Sequence, residues 1–157
     1  MDMLEEVIEA WRVNHRANTY LIERISDAGM RCTLSQRGGR NVARQFAHLQ
    51  YVRVFQLKKR AKRLAEGLRE FATDEEPSRQ VLIASLGESA TRVEEWFRLA
   101  AAGAPGVRVF KRGLVPTLGY LIAHESHHRG NVLLTLKQCG HPLDSATRYA
   151  IWDWDRL

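Results

Sequence analysis

An all-α four-helix bundle is the architecture this sequence predicts. Three observations carry that expectation. Four stretches of roughly 20 to 28 residues repeat apolar side chains at helical spacing. Each stretch is bounded by a capping residue, a proline or a glycine turn. The one alternating run, Val107 to Gly113, has no second strand to pair with and reads as an extended loop. With 157 residues the chain is long enough for one domain, residues 1–157, around a proper core.

The first helix opens at Asp2, a capping side chain with Glu5 three residues on as its capping-box partner. Leu4, Val7, Ile8, Trp11, Leu21, Ile22 and Ile25 form its apolar stripe. Asn14, His15 and Asn18 interrupt it. Polar groups on a buried face need partners, so these three either face a polar cavity or turn to solvent. Ser26-Asp27-Ala28-Gly29 stops the helix, and 28–40 reads as a loop that closes on Gly38-Gly39. Asn41 then caps a long second helix through Val42, Phe46, Leu49, Val54, Leu57, Ala61, Leu64 and Leu68. Thr73 to Pro77 is a connection whose acidic residues and proline suit the start of a helix. The third helix runs through Val81, Leu82, Leu86, Val93, Trp96, Phe97 and Ala100 to Gly103-Ala104-Pro105-Gly106. Pro116 opens the fourth, with Leu118, Leu121, Ile122, Val132, Leu133, Leu136 and Cys139 as its apolar positions. Gly140 and Pro142 end it. The tail from Tyr149 to Trp154 is aromatic and is expected to pack back on the bundle, because burial favours tryptophan.

The formal charge is +6, with much of the excess between Arg53 and Arg69. A solvated helix face accounts for that run. No helix-turn-helix, zinc-finger or RNP-like motif accompanies it, so nucleic-acid binding is the weaker expectation. No apolar run approaches the roughly 20 residues that span a bilayer. The acidic N-terminus lacks the basic and apolar regions of a signal peptide. Cys32 and Cys139 lie far apart, outside any Cys-x-x-Cys spacing, and read as reduced thiols of a cytoplasmic protein.

The chemistry concentrates in His124-Glu125-Ser126-His127-His128-Arg129-Gly130-Asn131. His124 and His128 are four apart, which on a helix puts both imidazoles on one face, one turn apart. They share that face with Leu121, Val132 and Thr135, so they are expected to point inward or toward a cleft. His127 sits on an adjoining face. A bundle gathers metal ligands from facing helices. His48, beside Gln45 and Val52 on the second helix, is the best third ligand; His15 is second choice, and His141 is too near a helix end. Three imidazoles favour zinc, nickel, copper or iron(II) over magnesium or calcium, and leave a position for water or substrate. Glu125 offers a partner for a ligand, a general base, or a surface ion pair with Arg129. Gly130 in mid-helix suggests close approach by a neighbouring helix, within the bundle or across a dimer.

These segments together resemble the DinB-like, YfiT-type family of metal-dependent enzymes over nearly the whole chain. Gly38-Gly39-Arg40-Asn41-Val42 with Phe46-Ala47-His48-Leu49 resembles the family's second helix and first ligand. His124 to Asn131 resembles its fourth-helix signature, with Asn131 where glutamine is usual. Trp11, Asn14 and Asn18, Gly140-His141-Pro142-Leu143 and Trp152-Asp153-Trp154 fit its first helix and tail. The resemblance implies an up-down-down-up bundle, the ligand trio His48, His124 and His128 for a zinc, nickel or iron ion, and a homodimer. It also implies one of two activities: S-transfer from a low-molecular-weight thiol such as bacillithiol or mycothiol to a small electrophile, or hydrolysis by metal-activated water with Glu125 as proton acceptor. A thiol with carboxylates would suit a basic protein, with Arg53 or Arg129 to hold it. A stress-linked metal-binding protein without catalysis is the competing reading.

Overall fold

The computed structural model describes residues 2–157, and among them there are helices but no strand. Helix α1 (Met3–Arg24) starts where expected: the Asp2 carboxylate accepts the Glu5 N–H at 2.9 Å. Glu5 itself reaches across to Arg98 instead of closing the capping box. Ser26 caps one turn, α2 (Asp27–Met30), inside the segment expected to be loop. Asn41 accepts the Arg44 N–H at 2.9 Å and opens α3 (Val42–Arg60).

Helix α3 is shorter than its apolar spacing suggests. It stops at Arg60, and Ala61 leaves helical geometry (φ −149°, ψ 58°) before a 3-10 turn, Lys62–Ala65. Lys58, Lys59 and Arg60 fill its last turn, where positive charge complements the helix dipole. The break lets Leu64 and Ala65 bury their side chains against the bundle. Helix α4 (Arg79–Ala101) is capped by Ser78, and α5 (Leu114–Gln138) carries Pro116 in its first turn. Between them, as expected, no strand forms; the loop is a series of turns with one isolated bridge between Phe110 and Gly113. A last short helix, α6 (Ser145–Ala150), follows the Asp144 cap.

Long helices pack in a ring: α1 and α3 each lie against both α4 and α5. Contacts fix the directions. Glu5 meets Arg98, the Trp11 indole donates to the Ala90 carbonyl at 3.0 Å, and the Ile22 carbonyl accepts from Arg79, so α1 and α4 are antiparallel. One apolar cluster joins the start of α1 (Val7, Ile8, Trp11), the end of α3 (Leu57), the end of α4 (Val93, Trp96, Phe97) and the start of α5 (Leu118, Leu121). The other joins Leu21 and Ile22, Val42 and Phe46, Leu82 and Leu86, and Val132 and Leu136. Those partners describe an up-down-down-up order. Between the two clusters, side chains of Asn14, Asn18, Arg53, Ser89 and Glu125 are buried.

The tail meets the bundle differently from expectation. Ile151 is buried in the second cluster, with Leu143 and Leu157 against it. Tyr149 and Trp152 are more than 70% exposed. Capping by Asp144 directs Thr147 and Ile151 inward, one turn apart, and turns the aromatic positions out. Among the described residues no helix is long and apolar enough to cross a membrane.

Candidate metal centre

The buried stripe of α5 decides where its histidines go. Leu118, Leu121, Glu125, Arg129, Val132 and Leu136 recur at three- and four-residue intervals and face the core. The stripe therefore passes through two charged residues. His124 and His128 each precede one of them, which rotates both imidazoles by about 100° into the half-buried groove beside α3. The face shared with Leu121 and Val132 belongs to Glu125 and Arg129, not to the histidines.

His48 answers from α3. Its ring centroid lies 5.4 Å from His124 and 4.9 Å from His128, and the latter two rings are 4.7 Å apart. One ligand atom from each comes within 4.8 Å of the others. Tyr51 stacks on His48 and Tyr120 on His124, walling the trio on two sides. Burial pushes the His48 and His128 pKa values down to about 4 and lowers that of His124. The positive charge of Arg40 adds to the fall in all three. All three are thus neutral at pH 7, the form a metal requires. His128 Nδ1 is buried without a hydrogen-bond partner. Convergent neutral nitrogens, one of them orphaned, fit a divalent transition metal and leave room for one further ligand.

Two hollows flank the trio. One, about 290 Å³, is lined by Arg40, Arg44, His48, Tyr51, Phe71 and Glu75 among others. The other, about 310 Å³, is lined by Thr33, Leu34, Arg40, His128, Asn131 and Leu134 among others. Arg40 walls both. It leaves a turn in which Gly38 has φ 78° and Gly39 donates its N–H to Ser35 Oγ at 2.7 Å. A Cβ on Gly39 would lie 2.5 Å from that of Ser35, so the turn requires glycine there.

Glu125 is neither on the surface nor paired mainly with Arg129. It is 1% exposed. Arg53 grips it with Nε at 2.6 Å and Nη2 at 2.9 Å, and the Asn14 and Asn18 amides donate at 2.6 and 2.7 Å. Arg129 Nη1 donates to the carbonyl oxygens of the same two asparagines, each at 2.8 Å. Burial is the largest single influence and would raise the Glu125 pKa, but the Arg53 charge and hydrogen bonds, the Arg129 charge and the Asn18 amide together outweigh it, and the pKa is lowered. A carboxylate so enclosed is a poor proton acceptor. Arg53 and Arg129 are equally committed to this layer, so neither is free to hold a substrate. The polar face of α1 thus turns to a buried ion, not to solvent.

The other histidines stay apart. His15, half-buried, has its pKa pushed down to about 4 by burial and then Arg53, but it does not join the trio. His127 shares a hydrogen bond with Asn131 at 3.1 Å, and His141 is exposed. Spacing within one helix pointed to His124 and His128, and the apolar setting of His48 on another helix pointed to the third candidate. Both missed Arg40 and Arg44, whose place beside the ligands depends on a loop and a neighbouring helix.

No curated protein and no solved structure matches the chain. A family model does: that of the DinB family, over residues 1–154. With nearly every residue inside that match and the histidine trio assembled between α3 and α5, the chain belongs to the DinB family.

Proposed function

We propose that this chain is a metal-dependent S-transferase that activates a low-molecular-weight thiol against a small electrophile, with His48, His124 and His128 as ligands of zinc, nickel or iron(II). The convergence of three neutral imidazoles carries the reading. A divalent cation bound there supplies Lewis acidity, lowering the pKa of a thiol or water brought to it.

The chain's own residues favour the thiol. Hydrolysis needs a base to take a proton from water, and Glu125 is closed off by Arg53, Asn14 and Asn18. A thiol, far more acidic than water, loses its proton to solvent without such a base. Arg40 and Arg44 replace Arg53 and Arg129 as holders of an anionic substrate group. Arg40 is exposed without an acidic partner among the described residues; Arg44 lines the same hollow, with Nη2 donating to the Thr73 carbonyl and Nε left without a hydrogen-bond partner. Tyr51, Phe71 and Tyr120 supply apolar walls beside the trio.

We also infer a cytoplasmic homodimer. The family resemblance supports the dimer, and Gly130, which meets nothing within its own chain where a Cβ would stand, leaves that face of α5 open to a partner. Leu134 and Trp152 are exposed on the same end. Light scattering on the purified chain tests the dimer.

For the activity, the untagged protein is assayed for bound metal by elemental mass spectrometry and then for S-conjugate formation, with and without thiol. Product that needs both metal and thiol supports the reading. Thiol-independent turnover points to hydrolysis. Metal bound with no turnover on any electrophile leaves a metal-binding protein, and no metal at all overturns the proposal.

A further inference from the structure

Cys32 and Cys139, distant in sequence, come together in the fold. Cys32 closes the neck of the loop 33–41: its carbonyl accepts the Val42 N–H at 3.0 Å, and its own N–H donates to Gly29 at 3.1 Å. Its thiol donates to the Ala28 carbonyl at 3.4 Å. Cys139 is the C-cap of α5, the helix that carries His124 and His128. Its thiol donates to the carbonyl of Thr33, at 3.7 Å, on the residue next to Cys32. Both thiols are free and half-buried. Burial, and then the adjacent Cys139 thiol, pushes the Cys32 pKa up.

We propose that Cys32 and Cys139 are a modification site: a dithiol that closes to a disulfide by exchange with a low-molecular-weight disulfide. The bond would pin the neck of the loop 33–41 to the end of α5. One cysteine, as thiolate, attacks a sulfur of the small disulfide and expels one thiolate, which takes up a proton. The second cysteine thiolate then attacks the mixed disulfide at the first cysteine's sulfur and expels the other. The two cysteines lose two protons and two electrons, and the small disulfide is reduced to two thiols. Because burial disfavours the Cys32 thiolate, closure quickens as pH rises.

The consequence falls on the metal centre's rim. The loop supplies Thr33, Leu34 and Arg40 to the hollow beside His128. Joining its neck to α5 restrains the wall against the helix that presents two of the three candidate ligands. The inference does not depend on a metal being bound.

The test uses the full chain, treated with chelator and equilibrated with graded ratios of reduced to oxidised glutathione. Free thiols are then alkylated and the peptides mapped by mass spectrometry. Expected is a cross-linked peptide pair containing Cys32 and Cys139, absent from Cys32→Ser and Cys139→Ser, which keep hydroxyl donors for the two carbonyls. The oxidised chain should melt higher by about 5 °C or more, since the bond closes a long loop. Amide exchange in 33–41 should slow several-fold. Separate glutathione adducts at each cysteine, cross-links between chains, or thiols that stay free at the oxidising end would overturn the proposal. A cross-link with unchanged exchange in 33–41 would overturn its effect on the loop.

Discussion

Replacing Glu125 by leucine tests whether the buried ionic layer is one coupled unit. The substitution leaves the Arg53 guanidinium, which is 0% exposed, facing a hydrocarbon at Nε and Nη2. Breaking a buried pair from one side costs about 3–5 kcal/mol. The Asn14 and Asn18 amides also lose their acceptor, adding about 1–3 kcal/mol each where water cannot enter. Against a total stability of about 5–15 kcal/mol, Glu125→Leu should be among the most damaging substitutions in the chain. Arg53→Met strands Glu125 from the other side, less severely because two amides and Arg129 remain near it. The double variant leaves neither charge of the pair. It should be about 3 kcal/mol less destabilised than the two single costs summed. Urea unfolding of the metal-free chain at constant m measures all three, with Glu125→Gln as the milder variant if leucine abolishes folding. Costs that add within about 0.5 kcal/mol would refute the coupling.

The remaining expectations concern the site. His48→Ala and His128→Ala should each lose the bound metal, and stripping metal from the wild type should lower its Tm by roughly 5–10 °C if the ion is present at 100 times its Kd; equal Tm values with and without metal would count against the trio as a site. The metal-free chain should weaken as pH falls. His15, His48 and His128 have folded pKa values of about 4, below the ordinary 6.5, so the unfolded chain binds more protons between those values. Stability is then complete above about pH 6.5 and is lost as pH drops from there toward 4; a Tm that rises from pH 7 to pH 5 would contradict the sign. Arg40→Ala should raise the KM for a carboxylate-bearing thiol roughly 3- to 10-fold while sparing a neutral thiol of similar size, and equal effects on both would remove Arg40 as the anion's partner.

Periodicity made the four long helices legible and spacing paired His124 with His128, because both are properties of single segments; His48 followed only from its place on a second amphipathic helix. What they misplaced, they misplaced for one reason. A pattern of apolar positions counts Glu125, Arg129 and Arg53 as outward-facing, and so it left open whether the histidines of α5 point inward or toward a cleft. Burial of those charges depends on partners on other helices: Asn14 and Asn18 from α1, and Ser89 and the Leu86 carbonyl from α4. The early end of α3 likewise follows from where Leu64 and Ala65 find a core, and the meeting of Cys32 with Cys139 from loop closure.

The same layer explains how the trio is held. Above and below it lie two apolar clusters that would tolerate small shifts of one helix along another. The polar layer would not. Sliding α5 by one turn would carry Glu125 into a cluster of leucines and aromatics, and leave Arg53 without its carboxylate. Rotating α5 by one residue would bring His124 inward and expose the ion pair. Only one register and one rotation satisfy Glu125, and in that arrangement His124 and His128 face His48 across the groove. Glu125 thus serves the candidate metal centre as the pin that sets the ligand helix, a role that its place between two histidines in the sequence disguises as a base.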